Sequence, residues 1–222
     1  VFSTTDMVNW TDHGEIFNAD SVPWGYPVKN GGRTEPSKFM WAPDCAYKNG
    51  KYYYYFPHPY GYENTEGWDN WRIGVAISDY PDKDFKVQDT TLLGLPENGF
   101  IDPCIFKDDD GKYYFYYGGS QQCWGAELND DMISIKPETL QQMQGLSFFH
   151  EGAWIFKRNG IYFMTYPGNN SSLDLGLSEV RILELLVVTH HTVRLQNLTD
   201  NGTLFTTMLC YQEEEQICVL FV

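Results

Sequence analysis

Three acidic residues stand at similar places along this chain. Asp44 closes Trp41-Ala42-Pro43-Asp44, Asp102 sits in Ile101-Asp102-Pro103, and Glu151 in His150-Glu151-Gly152. Each precedes a short apolar segment, an Asn-Gly or Asp-Gly turn and an aromatic segment. Carboxylates gathered in one place repel, which raises the proton affinity of at least one of them. A carboxyl that keeps its proton at neutral pH can protonate a departing oxygen while another carboxylate activates water or attacks carbon. Cleavage of a glycosidic bond needs such a pair. A lone acid beside proline more often caps a turn, so the weight falls on the recurrence.

The recurrence also names the elements that must position these groups. Trp41 to Tyr47 leads through Asn49-Gly50 into Lys51 to Phe56; Ile101 to Phe106 leads through Asp110-Gly111 into Lys112 to Tyr117; Glu151 to Phe156 leads through Asn159-Gly160 into Ile161 to Tyr166. Asn-Gly and Asp-Gly between such runs mark hairpins. Further strands are expected at Trp71–Ser78 and Trp124–Leu128, and outer strands at Asp84–Val87 and Met132–Ile135. The result is four strands per unit, at the spacing of propeller blades, with the first strand of each unit lining a central channel. Residues 57–70 read as a loop, residues 136–144 stay unassigned, and Val1 to Trp10 reads as the outer half of a blade whose inner half lies upstream.

Composition excludes other classes. The net charge is −15 over 222 residues, which repels nucleic acid and anionic lipid. No apolar run approaches the roughly 20 residues of a membrane helix. Aromatic residues make up 17%, enough to supply strands and surfaces that stack on sugar rings. Five cysteines without CxxC spacing read as buried free thiols rather than a disulfide framework. Oligomeric state is left open.

Taken together, Ser3-Thr4-Thr5-Asp6-Met7-Val8-Asn9-Trp10, Trp41-Ala42-Pro43-Asp44, Ile101-Asp102-Pro103 and His150-Glu151-Gly152 resemble glycoside hydrolase family 43, the five-bladed β-propeller enzymes that include β-xylosidases, α-L-arabinofuranosidases and arabinanases. The likeness runs from Phe2 to about Gly176 and implies an all-β, partial five-bladed propeller, with blade 1 incomplete, blades 2 to 4 present and blade 5 lost or scrambled. By the same resemblance Glu151 is the general acid and Asp102 the carboxylate that tunes its pKa. Trp41, Asp44 and Trp124 are expected at the substrate. The family's general base, an Asp in an Asp-Pro motif of the first blade, belongs upstream of Val1. The implied partner is a carbohydrate of the plant cell wall cleaved with inversion, in a secreted or periplasmic setting. No cofactor or metal is expected in this chain, although a channel calcium ion belongs to some intact family domains. Where the family commonly has Pro after Glu-Gly, this chain has Ala153.

The pattern breaks near residue 177. All seven Trp and all but one of the 16 Tyr precede it, and the rest shows no strand-turn-strand unit. Codons read from their third base admit Gln-Trp-Tyr-x-Phe-Tyr-His-Asn-Ala between Asp200 and Leu209, and Gly-Cys-Asp-Thr-Ser-His-Gly-Ser between Leu186 and Arg194. Both resemble the family's last blade. Residues 1–176 are therefore expected to be the partial hydrolase domain and 177–222 an out-of-frame tail, which makes His190 and His191 accidents of frame and the 222-residue chain inactive. The alternative is a propeller that binds carbohydrate without turnover.

Remaining polar and aromatic candidates read as structural. His13 is expected in a turn, His58 in loop packing, Trp68 and Trp71 between blades, and Asp108-Asp109-Asp110 in a solvated turn, since it lacks the spacing of a calcium loop.

Overall fold

A computed structural model describes residues 1–25, 40–60, 71–96, 101–146 and 148–168, and, as backbone only, strands at 179–185, 208–211 and 218–221. The described residues are almost entirely β, as expected, in four open antiparallel sheets. Strands β1 (Phe2–Thr4) and β2 (Thr11–Asp12) belong to the first. The second runs in chain order through β3 (Asp44–Lys48), β4 (Lys51–Pro59), β5 (Trp71–Ser78) and β6 (Lys86–Thr91). The third is built the same way from β7 (Cys104–Lys107), β8 (Tyr113–Gly119), β9 (Gln122–Glu127) and β10 (Gln141–Gln142). The fourth holds β11 (Trp154–Arg158), β12 (Ile161–Gly168) and β13 (Glu179–Leu185). The tail strands β14 (Met208–Tyr211) and β15 (Cys218–Phe221) complete the first sheet in the order β14-β15-β1-β2.

The turns explain the register. Asn49 and Gly50 both adopt positive φ, 53° and 79°, as do Asn159 and Gly160 at 53° and 75°. Two consecutive left-handed residues twist in the sense that suits the flanking strands, and Asn-Gly adopts them at low cost. The turn before β8 is longer, closed by Asp108 N to Lys112 O at 2.9 Å and Gly111 N to Asp108 O at 2.9 Å.

Several expectations need correction. Strand β4 continues through Pro57, His58 and Pro59 instead of yielding to a loop. Prolines fit there because Trp41 donates to Pro57 O at 3.4 Å, so the imino side of Pro57 faces an edge where β3 has already ended. Residues 61–70, Trp68 among them, lie outside the described residues. The outer strand of the third sheet is β10, inside the segment left unassigned. Residues 132–135 instead follow a bend held by Asp131, whose Oδ1 accepts from the N–H groups of Ile133 and Ser134, and Ser134 and Ile135 form isolated bridges to Leu93 and Leu128. The tail, read as showing no strand-turn-strand unit, contributes β13 to the fourth sheet and the paired strands β14–β15 to the first. Cys104 and Cys123 are buried free thiols as expected, whereas Cys45 is disulfide-bonded.

The sheets meet face to face through three apolar cores. Val22, Phe56, Ala76 and Phe85 join the N-terminal segment to the second sheet. Tyr55, Ile73, Phe115, Tyr117, Met132 and Ile135 join the second to the third. Cys104, Phe149, Ile155, Met164 and Tyr166 join the third to the fourth. Each fully buried aromatic side chain contributes about 2–3 kcal/mol relative to exposure. The leading strands β3, β7 and β11 are consecutive neighbours, and β14 lies beside β3. They are also edge strands of their own sheets, and side chains meet their free N–H groups. Ile105 N donates to Asp44 Oδ2, and Ile155 N donates to Cys104 Sγ at 3.4 Å. Asp44 Oδ1 accepts from its neighbour Cys45 N at 2.6 Å.

Two predictions follow from these seams. Tyr55 is fully buried and donates to Met132 O at 2.8 Å. Tyr55→Phe leaves that buried carbonyl unpaired, and the urea midpoint is expected to report a loss of about 1–2 kcal/mol. Burial raises the Asp44 pKa to about 8, against the opposing N–H groups of Ile105 and Cys45. An unfolded Asp gives up its proton near pH 4, so between about pH 4 and 8 the native state holds a proton that the unfolded state lacks. Stability is therefore fullest below that window and falls across it. The thermal midpoint should drop between about pH 5 and pH 8, and Asp44→Asn should flatten the drop; parallel curves would refute this origin.

Candidate active site

The segment leading into each of β3, β7 and β11 is tied to the second strand of its own sheet. Trp41 N donates to Pro57 O at 3.4 Å, Gly118 N to Ile101 O at 3.1 Å, and His150 N to Pro167 O at 3.1 Å. These bonds make Trp41, Ile101 and His150 equivalent, and the next positions are Ala42, Asp102 and Glu151. Asp44 is thus two residues out of phase with the other two acids. Its structural counterpart is Cys104, the other seam acceptor. The common phase expected of the three acids holds for two of them: Asp44, inside its strand, meets the edge of the next strand at Ile105 N, whereas Asp102, ahead of its strand, meets Gly152 N.

Asp102 and Glu151 come together through Gly152. Gly152 adopts φ 62° and donates its N–H to Asp102 Oδ2 at 2.9 Å, while Asp102 itself is held at φ 53°. Burial, and then the charge of Glu151, push the Asp102 carboxyl up to about 7, opposed by the Gly152 N–H. Glu151 remains open, its side chain 40% exposed, with His150 Nε2 at 3.9 Å from its Oε2. One shielded carboxyl that holds a proton near neutrality thus lies beside one accessible carboxyl. Such a pair is equipped for proton transfer to a bound molecule.

Two further features escaped the sequence reading. The turn joining β8 to β9, Ser120-Gln121, reaches the acid: Gln121 N donates to His150 O at 3.3 Å. Its signal was Gly118-Gly119 directly after the aromatic strand. The other is a cleft of about 260 Å³ lined by Tyr60, Arg72, Thr91 and residues 92–96, where Arg72 lies over the Tyr60 ring at 5.4 Å.

The other candidates fall into place around these. Trp41 is half-buried and stacks on Trp71 at 3.8 Å between ring centroids, 27° from parallel. Asp44 is buried with both oxygens on backbone N–H groups. Trp124 is half-buried against the core between the second and third sheets, where a blade aromatic packs. His58 is buried in β4 with Trp24 edge-on at 5.6 Å. His13 bonds Ser3 Oγ at 2.6 Å and lies 3.0 Å from Asp82, tying the first sheet to the second. The acidic run is a turn with Asp109 and Asp110 exposed, as expected, and Asp108 and Asp109 also pair with Lys157 at 2.9 and 2.7 Å, which ties the turn to the fourth sheet. Among the described residues no cluster of three or more His, Cys, Asp or Glu fits a metal ion, and no helix is long and apolar enough to cross a membrane. His190 and His191 lie outside the described residues.

Comparison with known proteins bears on the family and the fold. The sequence profile of Glycosyl hydrolases family 43 matches residues 1–175. A xylosidase/arabinosidase of Humicola insolens is 32% identical over 201 residues, covering 70% of this chain and 55% of its own length. The crystal structure of an α-L-arabinofuranosidase from Clostridium thermocellum superposes with a TM-score of 0.68 at 27% identity, over 96% of this chain and 67% of the other. A β-xylosidase/α-arabinofuranosidase from a compost microbial metagenome, solved with xylotriose, superposes with a TM-score of 0.58 at 30% identity, over 80% and 59%. The chain spans about half the length of the curated relatives it matches. A profile that covers most of the chain, and an all-β fold shared with propeller enzymes, lead to one conclusion: this chain belongs to glycoside hydrolase family 43.

Proposed function

We propose that the site cleaves pentose glycosidic bonds of plant cell-wall polysaccharides, with Glu151 as general acid and Asp102 tuning and orienting it. The observation that carries this reading is the hydrogen bond from Gly152 N to Asp102 Oδ2, which holds a shielded carboxyl against the residue that follows an open one. Glu151 protonates the departing glycosidic oxygen. Asp102 acts through Glu151, since its own oxygen is engaged with the backbone. Trp41, stacked on Trp71, offers a flat face to a sugar ring. The relatives' activities on xylosides and arabinosides, and the xylotriose held by one of them, point to the same substrate class.

Inversion completes the proposal: a second carboxylate roughly 6.5–9.5 Å from the acid activates water on the opposite face of the ring. By the resemblance to the family, that base is an Asp in an Asp-Pro motif of the family's first blade, within a full five-bladed domain. Residues 177–222 are proposed to derive from a shifted reading frame. Sequencing the locus tests this, because an intact frame shared with close relatives would end it.

The 222-residue chain is expected to show no turnover of 4-nitrophenyl β-D-xylopyranoside or α-L-arabinofuranoside above background. In the protein encoded by the intact locus, Glu151→Gln should lower kcat on the cleaved substrate by about 10²–10⁴-fold. Asp102→Asn should lower kcat by roughly 10-fold or more with KM little changed. NMR of the first-formed sugar should show the inverted anomer. Sugar binding without hydrolysis, unaffected by Glu151→Gln, would instead identify a carbohydrate-binding propeller.

A further inference from the structure

The cleft of about 260 Å³ at the end of the second sheet takes no part in the chemistry assigned to Asp102 and Glu151. Its walls are fixed. Leu92 N donates to Ile73 O at 2.8 Å, Leu93 N to Ile133 O at 3.0 Å and Ile135 N to Leu93 O at 3.0 Å, so this wall is pinned to both the second and the third sheet. Gly94, at φ 89°, lets the wall pass close to Ile135, since a Cβ there would lie 2.9 Å from Ile135 Cγ1. Arg72 is held as well: its Nη1 donates to Trp71 O at 2.9 Å, and its guanidinium lies 5.4 Å from the centre of the Tyr60 ring. Ile73 and Leu92 are buried while Tyr60 and Leu93 are exposed, which gives the cleft an apolar base and an open rim.

The lining is selective. The chain has 15 basic against 30 acidic residues, yet the charged group among the described lining residues is Arg72, and none of them is Asp or Glu. A guanidinium carries N–H donors in a planar fork, and the two oxygens of a carboxylate match it. Tyr60 and the leucines add flat and apolar surface, which suits the C–H face of a sugar ring. The volume falls below the roughly 300–1,000 Å³ of pockets that enclose a drug-sized ligand, so the cleft takes one ring and not a chain. Position supplies the rest. Arg72 directly follows Trp71, which stacks on Trp41, the face offered to a sugar. Pro96, also in the lining, stands six residues before Asp102, so covalent geometry alone keeps those two within about 22 Å. A saccharide seated on Trp41 therefore has the cleft at its side. We propose that the cleft holds a uronic acid borne as a branch on the pentose chain, its carboxylate on Arg72 and its ring against Tyr60, so that acid-substituted oligosaccharides are selected over neutral ones. This rests on the reading of the site as a pentose glycosidase and names a feature of its substrate.

The test is calorimetric titration of the protein from the intact locus, in its Glu151→Gln form so that the ligand is not cleaved. The two ligands are a pentose oligosaccharide with one uronic acid branch and the same oligosaccharide after reduction of that carboxyl to the alcohol. The acidic ligand should bind about tenfold more tightly or better, and the preference should shrink at about 1 M salt, as an attraction between partly exposed charges does. Arg72→Met, made in the same background, should abolish the preference, while Arg72→Lys, which keeps the charge without the fork, should restore part of it. Equal affinity for the two ligands overturns the inference without recourse to any Arg72 variant, and so does a preference that survives Arg72→Met. Turnover judges the glycosidase reading separately. If Glu151→Gln inactivates the enzyme and both ligands bind equally, the acid assignment stands and the cleft assignment falls; if Glu151→Gln is fully active, the acid assignment falls.

Discussion

A leading strand in a stack of open sheets has one edge with no strand to pair with, and its buried N–H groups still need acceptors. That requirement governs this molecule. β3, β7 and β11 are each the edge of their own sheet, and the N–H of Ile105 or Ile155 reaches a buried side chain on the preceding sheet, Asp44 or Cys104. Apolar cores between sheets tolerate repacking and small shifts. A directional bond does not, so these two contacts fix how far each sheet slides past the next.

The site follows from that register. Asp102 lies two residues ahead of Cys104, and Glu151 lies ahead of Ile155, the residue that bonds to Cys104. Once the seam is set, the Gly152 N–H arrives at Asp102. Only a backbone at positive φ delivers it there, and glycine adopts φ 62° without strain. The same burial that orders the seam keeps a proton on Asp102 to about pH 7, with the charge of Glu151 adding to the effect. Two carboxyls of one chemical type thereby diverge: one is shielded and engaged, the other open to what binds.

Hairpins and aromatic strands were legible because period-2 patterning and Asn-Gly turns are local signals; β5 occupies the very residues expected of it. The outer strand of the third sheet was not, since two polar residues, Gln141 and Gln142, carry no apolar alternation. Asp102 and Glu151 were legible through motif and repeat. Asp44 misled because the eye aligns acid with acid, while the true phase is set by which backbone groups pair, and that puts Ala42 opposite Asp102. Gln121 was invisible for a different reason: its proximity to His150 arises between sheets, and no sequence spacing encodes it.

The two seams are not equal. Asp44 receives two N–H groups, one on each oxygen, whereas the Cys104 sulfur is a weak acceptor at 3.4 Å. The second seam is reinforced at the opposite end of the strands. There Lys157 bridges Asp108 and Asp109, and Tyr162 OH donates to Asp108 Oδ2 at 2.6 Å. The fourth sheet is therefore tied to the third by charged and hydroxyl contacts at the turn end and by a weak sulfur acceptor at the leading end, so the directional hold on this seam comes mainly from the turn end.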